Sequence, residues 1–147
     1  SGVRVRAAIV RFGFAGVSLS DYQRHGRAFA DHQLPKVIRP DMLERIEWHK
    51  AQGDTVVVVS GALDVYLRHW CAMHQLPLIC SALEERDGAL TGRYQGEQCV
   101  RSNKAQRVAE RYTLSDYADI YAYGDTPEDF ELLAIASRKF YQGRELP

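Results

Sequence analysis

The sequence has no excess of either charge and no long apolar run. Nineteen basic side chains balance nineteen acidic ones over 147 residues, so the composition does not indicate a nucleic-acid partner or an anionic membrane surface. No apolar stretch approaches the roughly 20 residues that span a bilayer, and no signal peptide precedes the first periodic segment. We therefore expect a cytoplasmic protein without a nucleic-acid partner and without a membrane attachment.

Cysteine and histidine are present but lack the spacing of a disulfide framework or a zinc site. The three cysteines, Cys71, Cys80 and Cys99, form neither a CxxC pair nor a zinc-ligand pattern, so we expect reduced thiols. The five histidines also lack metal-ligand spacing. The hydrophobic content of 46% is enough for the core of one ordinary domain.

The first half of the chain is predicted to be helical and to lead into a buried strand. Apolar spacing over residues 3–35 predicts two helices. Pro40 and Asp41 open a further helix, and Gly53 stands just past its end as a C-cap. The β-branched run at residues 55–59 is typical of a strand that is covered on both faces.

Strands and helices alternate over the rest of the chain. The Asp87-Gly88 pair between strand-like flanks predicts a small β-hairpin. Alternation of this kind predicts an α/β fold with a doubly wound parallel sheet. The predicted elements are a helix at 62–74, a strand at 77–80, the hairpin at 83–94, a helix at 102–112 capped by Ser102, a strand at 119–123, a helix capped by Thr126, and a strand at 138–141.

Polar residues stand where the predicted strands end. Ser60 and Gly61 follow one strand and offer a hydroxyl and a backbone amide, while Asp125 follows another strand after a single glycine. Lys104 lies in the first turn of a helix, where the helix dipole disfavours a cation. Ligands of parallel sheets bind beyond the carboxyl ends of the strands. Together with Asp129, these groups suit a phosphoryl group bridged to magnesium.

Each of these residues also has an ordinary structural explanation. Ser60 can serve as a helix N-cap, Lys104 as an exposed helix residue, and Asp129 as the capping-box acid of Thr126. The structural explanation is weakest for Asp125, because a carboxylate directly after Gly124 has no obvious group to cap.

The motifs, in their order, resemble the haloacid dehalogenase-like (HAD) hydrolase superfamily and its phosphoserine-phosphatase-like branch. Residues 56–61 (Val-Val-Val-Val-Ser-Gly) look like the second family motif, Lys104 like the third, and residues 123–129 (Tyr-Gly-Asp-Thr-Pro-Glu-Asp) like the fourth. Residues 83–93 resemble the hairpin between motifs two and three. The resemblance covers most of the chain and implies a Rossmann-like core with a helical cap.

The resemblance also implies a role for each candidate residue. Ser60 and the Gly61 amide would bind phosphate, Lys104 would neutralise the phosphoryl and nucleophile charges as the catalytic cation, and Asp125 would hold Mg²⁺ with Asp129 orienting the metal shell. Where some relatives have asparagine, this chain has Glu128, which puts substrate contacts at that position in doubt.

The first family motif, Asp-x-Asp-x-Thr, occurs nowhere in the chain. Either the chain begins inside the helical cap that follows that motif, or residues 7–15 are a decayed version of its strand, with Arg11 and Gly13 in place of the aspartates. We favour the first explanation because residues 4–35, followed by Arg39 and Pro40, resemble the end of the cap. It assigns residues 1–38 to a cap remnant and residues 39–147 to a core without the motif-one strand.

The missing nucleophile affects what each possible function would require. We expect Mg²⁺-dependent hydrolysis of small phosphorylated metabolites by a full-length form, and inactivity with weak Mg²⁺ binding in this chain. A non-catalytic domain that binds a phosphorylated ligand or a protein is the alternative, and an unrelated doubly wound domain is a third, so whether the chain is an enzyme stays open. A missing central strand would be supplied by a homodimer or by strand exchange.

Overall fold

A computed structural model describes residues 2–147. The described residues up to Gln98 form one compact unit, and residues 99–147 form a second. Each unit combines helices with short strands, which confirms the predicted α/β class. The boundary of a cap near residue 38 stays a prediction.

Four helices open the first unit, and their ends follow local capping rules. Helix α2 begins after Ser18, whose Oγ accepts the amide of Asp21 at 3.2 Å. The helix predicted from Pro40 is confirmed, and Gly53 beyond its end has a φ of +79°. The four helices are α1 (Gly2–Phe14), α2 (Leu19–His32), α3 (Leu34–Val37) and α4 (Pro40–Ala51).

A strand, a helix and a parallel strand follow. Strand β1 (Val58–Leu63) pairs in parallel with β2 (Leu78–Ser81), and α5 (Asp64–Met73) connects them. The predicted order is confirmed, but the predicted limits of β1 are wrong. Residues 55–57 lie outside the strand, because its pairing starts where the Val58 amide donates to the Pro77 carbonyl at 2.9 Å.

A β-hairpin and a small core complete the first unit. Strands β3 (Leu83–Arg86) and β4 (Ala89–Tyr94) are antiparallel. The predicted turn is confirmed, because Asp87 and Gly88 both have positive φ, at +54° and +79°. The buried side chains of this core come from α1, α2, β3 and β4; they are Val10, Tyr22, Leu83 and Leu90.

The second unit packs one face of a three-stranded sheet against a short helix. Strand β5 (Tyr121–Gly124) is parallel to β6 (Arg138–Tyr141), and β6 is antiparallel to β7 (Arg144–Leu146). Ala122, Leu133 and Ala136 are its buried core cluster. Its elements are α6 (Ser102–Arg111), β5 (Tyr121–Gly124), a 3₁₀ turn (Pro127–Asp129), α7 (Phe130–Ala134), β6 (Arg138–Tyr141) and β7 (Arg144–Leu146), with a further 3₁₀ turn at Leu114–Asp116.

The strands form three hydrogen-bonded sheets, β1–β2, β3–β4 and β5–β6–β7. The parallel pairs that a doubly wound sheet requires are β1–β2 and β5–β6. Over residues 2–147, each helix is too short or too polar to cross a bilayer.

Candidate functional site

Lys104 and Asp129 form a buried ion pair in the second unit. The Nζ of Lys104 lies 2.5 Å from Oδ1 of Asp129, and the two side chains are 9% and 12% exposed. Helix α6 supplies the lysine, and the 3₁₀ turn after β5 supplies the aspartate. The pair joins two of the candidate residues, and it shows that Lys104 is not a solvated helix residue.

The second carboxylate oxygen of Asp129 organises the loop that follows β5. Oδ2 accepts the backbone amides of Asp125 at 3.0 Å and Thr126 at 3.2 Å, and the Thr126 hydroxyl at 3.4 Å. The predicted capping box of Thr126 and Asp129 is therefore confirmed. One carboxylate thus fixes both the loop and the lysine.

The environment of Asp129 favours its charged form. Burial acts to raise its pKa, but the hydrogen bond and the charge of Lys104, together with the amides of Thr126 and Asp125, hold the pKa below its usual value of 3.8. The Asp129 carboxylate is therefore charged at neutral pH, and its ion pair with Lys104 compensates that charge.

Gly124 allows this arrangement because it has no side chain. A Cβ at this position would lie 2.5 Å from the Cβ and 3.0 Å from the Cγ of Asp129. A residue other than glycine would therefore displace the carboxylate. The contact explains why β5 ends in a glycine directly before Asp125.

Asp125 is exposed, and two hydrogen bonds from Gln142 hold its loop. The Gln142 amide donates to the Gly124 carbonyl at 2.9 Å, and its side-chain Nε2 donates to the Asp125 carbonyl at 3.2 Å. Gln142 stands at the β6–β7 turn with a φ of +50° and is followed by Gly143. Our sequence reasoning missed both Gln142 and β7. The Gln-Gly pair between two short strand-like segments was the signal that could have identified them.

Ser60 and Gly61 lie inside β1, so our expectation that they follow the strand at a helix N-terminus is wrong. Ser60 aligns with Cys80 of β2, the register shifts between Ser60 and Leu63, and α5 begins only at Asp64. The Ser60 Oγ accepts the amide of Ala62 at 3.1 Å, which gives this hydroxyl a local partner. Both residues belong to the first unit, and their role in phosphate binding stays a prediction.

The described residues do not fit a tight magnesium site. Residues 2–147 contain no cluster of three or more histidine, cysteine, aspartate or glutamate side chains placed to hold a metal ion. Asp125 and Asp129 are the two predicted metal ligands. Both carboxylate oxygens of Asp129 already accept hydrogen bonds, so Mg²⁺ binding would depend mainly on Asp125. Mg²⁺ demands near-octahedral oxygen coordination, which one exposed carboxylate and water would hold weakly. Metal binding by Asp125 and Asp129 stays a prediction.

Comparison with protein families identifies the fold. Residues 2–134 match the family model described as HAD, haloacid dehalogenase-like hydrolase. Protein CicA of Caulobacter vibrioides is 30% identical over 141 residues, which are 95% of this chain and 63% of CicA. A histidinol-phosphatase of Neisseria meningitidis serogroup C is 28% identical over 120 residues, covering 77% of this chain and 54% of that protein. The chain therefore spans about 63% of the length of CicA.

Solved structures give the same assignment. A Bordetella pertussis Tohama I protein of unknown function aligns with a TM-score of 0.75 and 23% identity, covering 83% of this chain and 57% of that protein. A substrate-bound phosphoserine phosphatase aligns with a TM-score of 0.56 and 25% identity, covering 67% of this chain and 48% of that protein. The resemblance drawn from the motifs is confirmed at the level of fold and family.

Proposed function

Because the chain belongs to the haloacid dehalogenase-like hydrolase family, we propose that it is the phosphate-handling part of a phosphomonoester hydrolase and is inactive by itself. The observation that carries the proposal is the buried Lys104–Asp129 pair, with the ammonium Nζ 2.5 Å from the carboxylate. A buried lysine whose charge is held in place is suited to stabilise a phosphoryl group, because such catalysis depends mainly on positioning and on charge neutralisation.

In this proposal, each candidate residue has a separate role in binding the phosphoryl group or Mg²⁺. Lys104 neutralises the phosphoryl oxygens, and Asp129 orients Lys104 and the loop that carries Asp125. Phosphate binding by the Ser60 hydroxyl and the Gly61 amide of the first unit stays a prediction from the sequence motif. Mg²⁺ would supply further charge neutralisation in a longer form with additional carboxylates, and Asp125 would be its ligand from this chain. Without those carboxylates, the donors among residues 2–147 are too few to hold Mg²⁺ tightly.

Inactivity follows from chemistry, since the chain has no Asp-x-Asp to supply an attacking carboxylate and its acid–base partner. Hydrolysis of p-nitrophenyl phosphate with Mg²⁺ tests the proposal. The 147-residue chain is expected to show no turnover above background. A longer form that carries an Asp-x-Asp-x-Thr strand is expected to hydrolyse the ester and to lose roughly 10²-fold or more in rate with Lys104→Met. Rapid turnover by the 147-residue chain, abolished by Asp125→Asn, would show that the chain is an active enzyme.

The second candidate function is a non-catalytic domain that binds a phosphorylated ligand or a protein. It is favoured by the retention of the Lys104–Asp129 pair in a chain that lacks the nucleophile. Phosphate binding without turnover, in every longer form that is tested, would support this function over hydrolysis.

The substrate class that we propose is a small phosphorylated metabolite. The similar proteins include a phosphoserine phosphatase and a histidinol-phosphatase, so phosphoserine and histidinol phosphate are the first compounds to test. Activity of a longer form on either one, above its activity on p-nitrophenyl phosphate, would identify the substrate. Cytoplasmic location remains part of the proposal and agrees with the free cysteines of the described chain.

We also propose that a second copy of the chain, by dimerisation or strand exchange, extends the sheet of β1 and β2. Parallel sheets usually have more strands and are buried on both faces, whereas β1 and β2 form a sheet of two strands. Light scattering would test this. A mass of two chains is expected, and a monomer at high concentration would contradict the proposal.

A further inference from the structure

Arg101, which directly precedes α6, has a backbone conformation that glycine adopts more readily than arginine. Its φ is +53° and its ψ is −128°, a region that is costly for any side chain with a Cβ. Gln142, the other non-glycine residue of the second unit with a positive φ, has a side-chain hydrogen bond to the Asp125 carbonyl. The positive φ of Arg101 must likewise be offset by a contact of its own.

The backbone contacts of Arg101 do not require an arginine. Its amide donates to the Glu128 carbonyl at 3.1 Å, and its carbonyl accepts the amide of Lys104 at 3.1 Å. These two bonds link the turn of Lys104 to the turn of Asp129. Because both are made by main-chain atoms, a glycine would make them equally well and without the unfavourable φ.

The side chain of Arg101 is not held by a polar contact within residues 2–147. It is exposed, and among residues 2–147 the guanidinium has neither a hydrogen-bond partner nor an ion-pair partner. Lys104, by contrast, is compensated by Asp129. Arg101 is therefore an uncompensated cation whose main chain is hydrogen-bonded to the turns of Lys104 and Asp129. A second positive charge would stabilise a dianionic phosphate at Lys104, because the Lys104 ammonium is already paired with Asp129.

We propose that the Arg101 guanidinium binds a phosphate oxygen of the ligand held at Lys104 and so contributes to selection of dianionic ligands, an inference that rests on the proposed function. A guanidinium presents two parallel N–H donors to phosphate, which an ammonium does not. The ligand contact requires the arginine side chain, which accounts for an arginine at a position whose backbone conformation favours glycine.

The test combines phosphate binding with thermal unfolding. Inorganic phosphate is titrated against the 147-residue chain while the backbone amides of Lys104 and Asp129 are followed by NMR. Arg101→Ala removes the guanidinium and keeps a Cβ, whereas Arg101→Gly also relieves the backbone. Arg144→Ala removes an exposed arginine from β7 of the same unit and is the matched control. Arg101→Lys keeps the charge and loses the paired donors.

Both Arg101→Ala and Arg101→Gly are expected to weaken phosphate binding by roughly tenfold, since a hydrogen bond to a charged group is lost. Arg101→Lys is expected to give an intermediate affinity, and Arg144→Ala to leave the affinity unchanged. Arg101→Gly should unfold at a higher temperature than Arg101→Ala, so that stability and binding change in opposite directions.

Three outcomes would overturn the inference. If phosphate shifts the Lys104 amide equally in Arg101→Ala and in the unchanged chain, the inference is wrong while the proposed function stands. If only Arg101→Gly weakens binding, the backbone and not the guanidinium is responsible. If the unchanged chain shows no phosphate-dependent shift at Lys104, the inference and the proposed function fail together.

Discussion

The backbone of Gly124 lies directly against the side chain of Asp129, with no room for a methyl group between them. A Cβ at residue 124 would lie 2.5 Å from the Asp129 Cβ. We predict that Gly124→Ala displaces the Asp129 carboxylate, weakens its hydrogen bonds, and lowers the free energy of unfolding by about 1–3 kcal/mol, as overpacking usually does. Chemical denaturation would measure the change.

A control for this substitution is available in α1. Gly13 is helical, and a Cβ there would meet nothing within 4 Å. Gly13→Ala should raise the free energy of unfolding by up to about 1 kcal/mol, because alanine is the better helix former. Equal effects of the two substitutions would mean that the Gly124 contact is not the cause.

Removing the ammonium of Lys104 should destabilise the second unit strongly. Lys104→Met leaves the Asp129 carboxylate buried beside an apolar side chain, which we expect to cost about 3 kcal/mol. Asp129→Asn combined with Lys104→Met should cost less than the sum of the two single changes, since the pair is already broken. Denaturant unfolding of the four proteins gives the coupling energy, and strict additivity would contradict the buried pair.

The lowered pKa of Asp129 predicts a loss of stability in acid. Burial opposes ionisation, but Lys104 and the loop amides outweigh it, so the folded state binds the Asp129 proton more weakly than the unfolded state does. The contribution is therefore present at pH values well above 3.8 and is lost as the pH falls through the lowered pKa of the folded state. Urea unfolding between pH 7 and pH 2 should show a smaller acid loss for Asp129→Asn.

Asp116→Asn is the control for the acid experiment, because Asp116 is an exposed aspartate of the same unit. Its acid loss should match that of the unchanged chain. If Asp129→Asn loses stability over the same range and to the same extent, the carboxylate is not responsible for the acid sensitivity.

The sequence identified Lys104 and Asp129 as candidate site residues, but it did not predict the contact between them. The Thr126 and Asp129 capping box is local, so a spacing of three residues was enough to predict it. The Lys104 contact joins residues 25 positions apart, and its geometry depends on how α6 packs in the second unit. The alternative explanation of Lys104 as an exposed helix residue rested on the usual solvation of lysine side chains, which carries no information on that packing.

The limits of β1 show the same difference between local and tertiary signals. The β-branched residues 55–59 predicted a strand, but pairing with β2 decided where it starts and extended it past Ser60 to Leu63. Ser102 was predicted to cap α6, whereas Arg101 occupies that position because its amide is held by the Glu128 carbonyl. In both cases a hydrogen bond to a distant segment overrode the local preference.

Gly26 permits close packing of α2 on α5 in the first unit. A Cβ at residue 26 would lie 2.6 Å from the Val65 carbonyl oxygen, and Phe29 packs edge-on against Tyr66 in the same helix pair, with ring centroids 4.9 Å apart. We predict that Gly26→Ala forces the helices apart and costs about 1–3 kcal/mol of unfolding free energy. Amide hydrogen exchange should accelerate along α2 (Leu19–His32) before it does so in β3 and β4.

The substitution Val65→Ala tests whether this contact is the cause. It removes the Val65 Cγ2 atom, which a Cβ at Gly26 would approach to 2.1 Å, and leaves the Val65 carbonyl oxygen at 2.6 Å and the Val65 Cβ at 2.9 Å. The double variant Gly26→Ala with Val65→Ala should therefore recover part of the stability lost in Gly26→Ala, because the shortest of the three contacts is removed. If the two changes add without any recovery, the loss in Gly26→Ala arises elsewhere, and the close approach of α2 to α5 does not limit the residue at position 26.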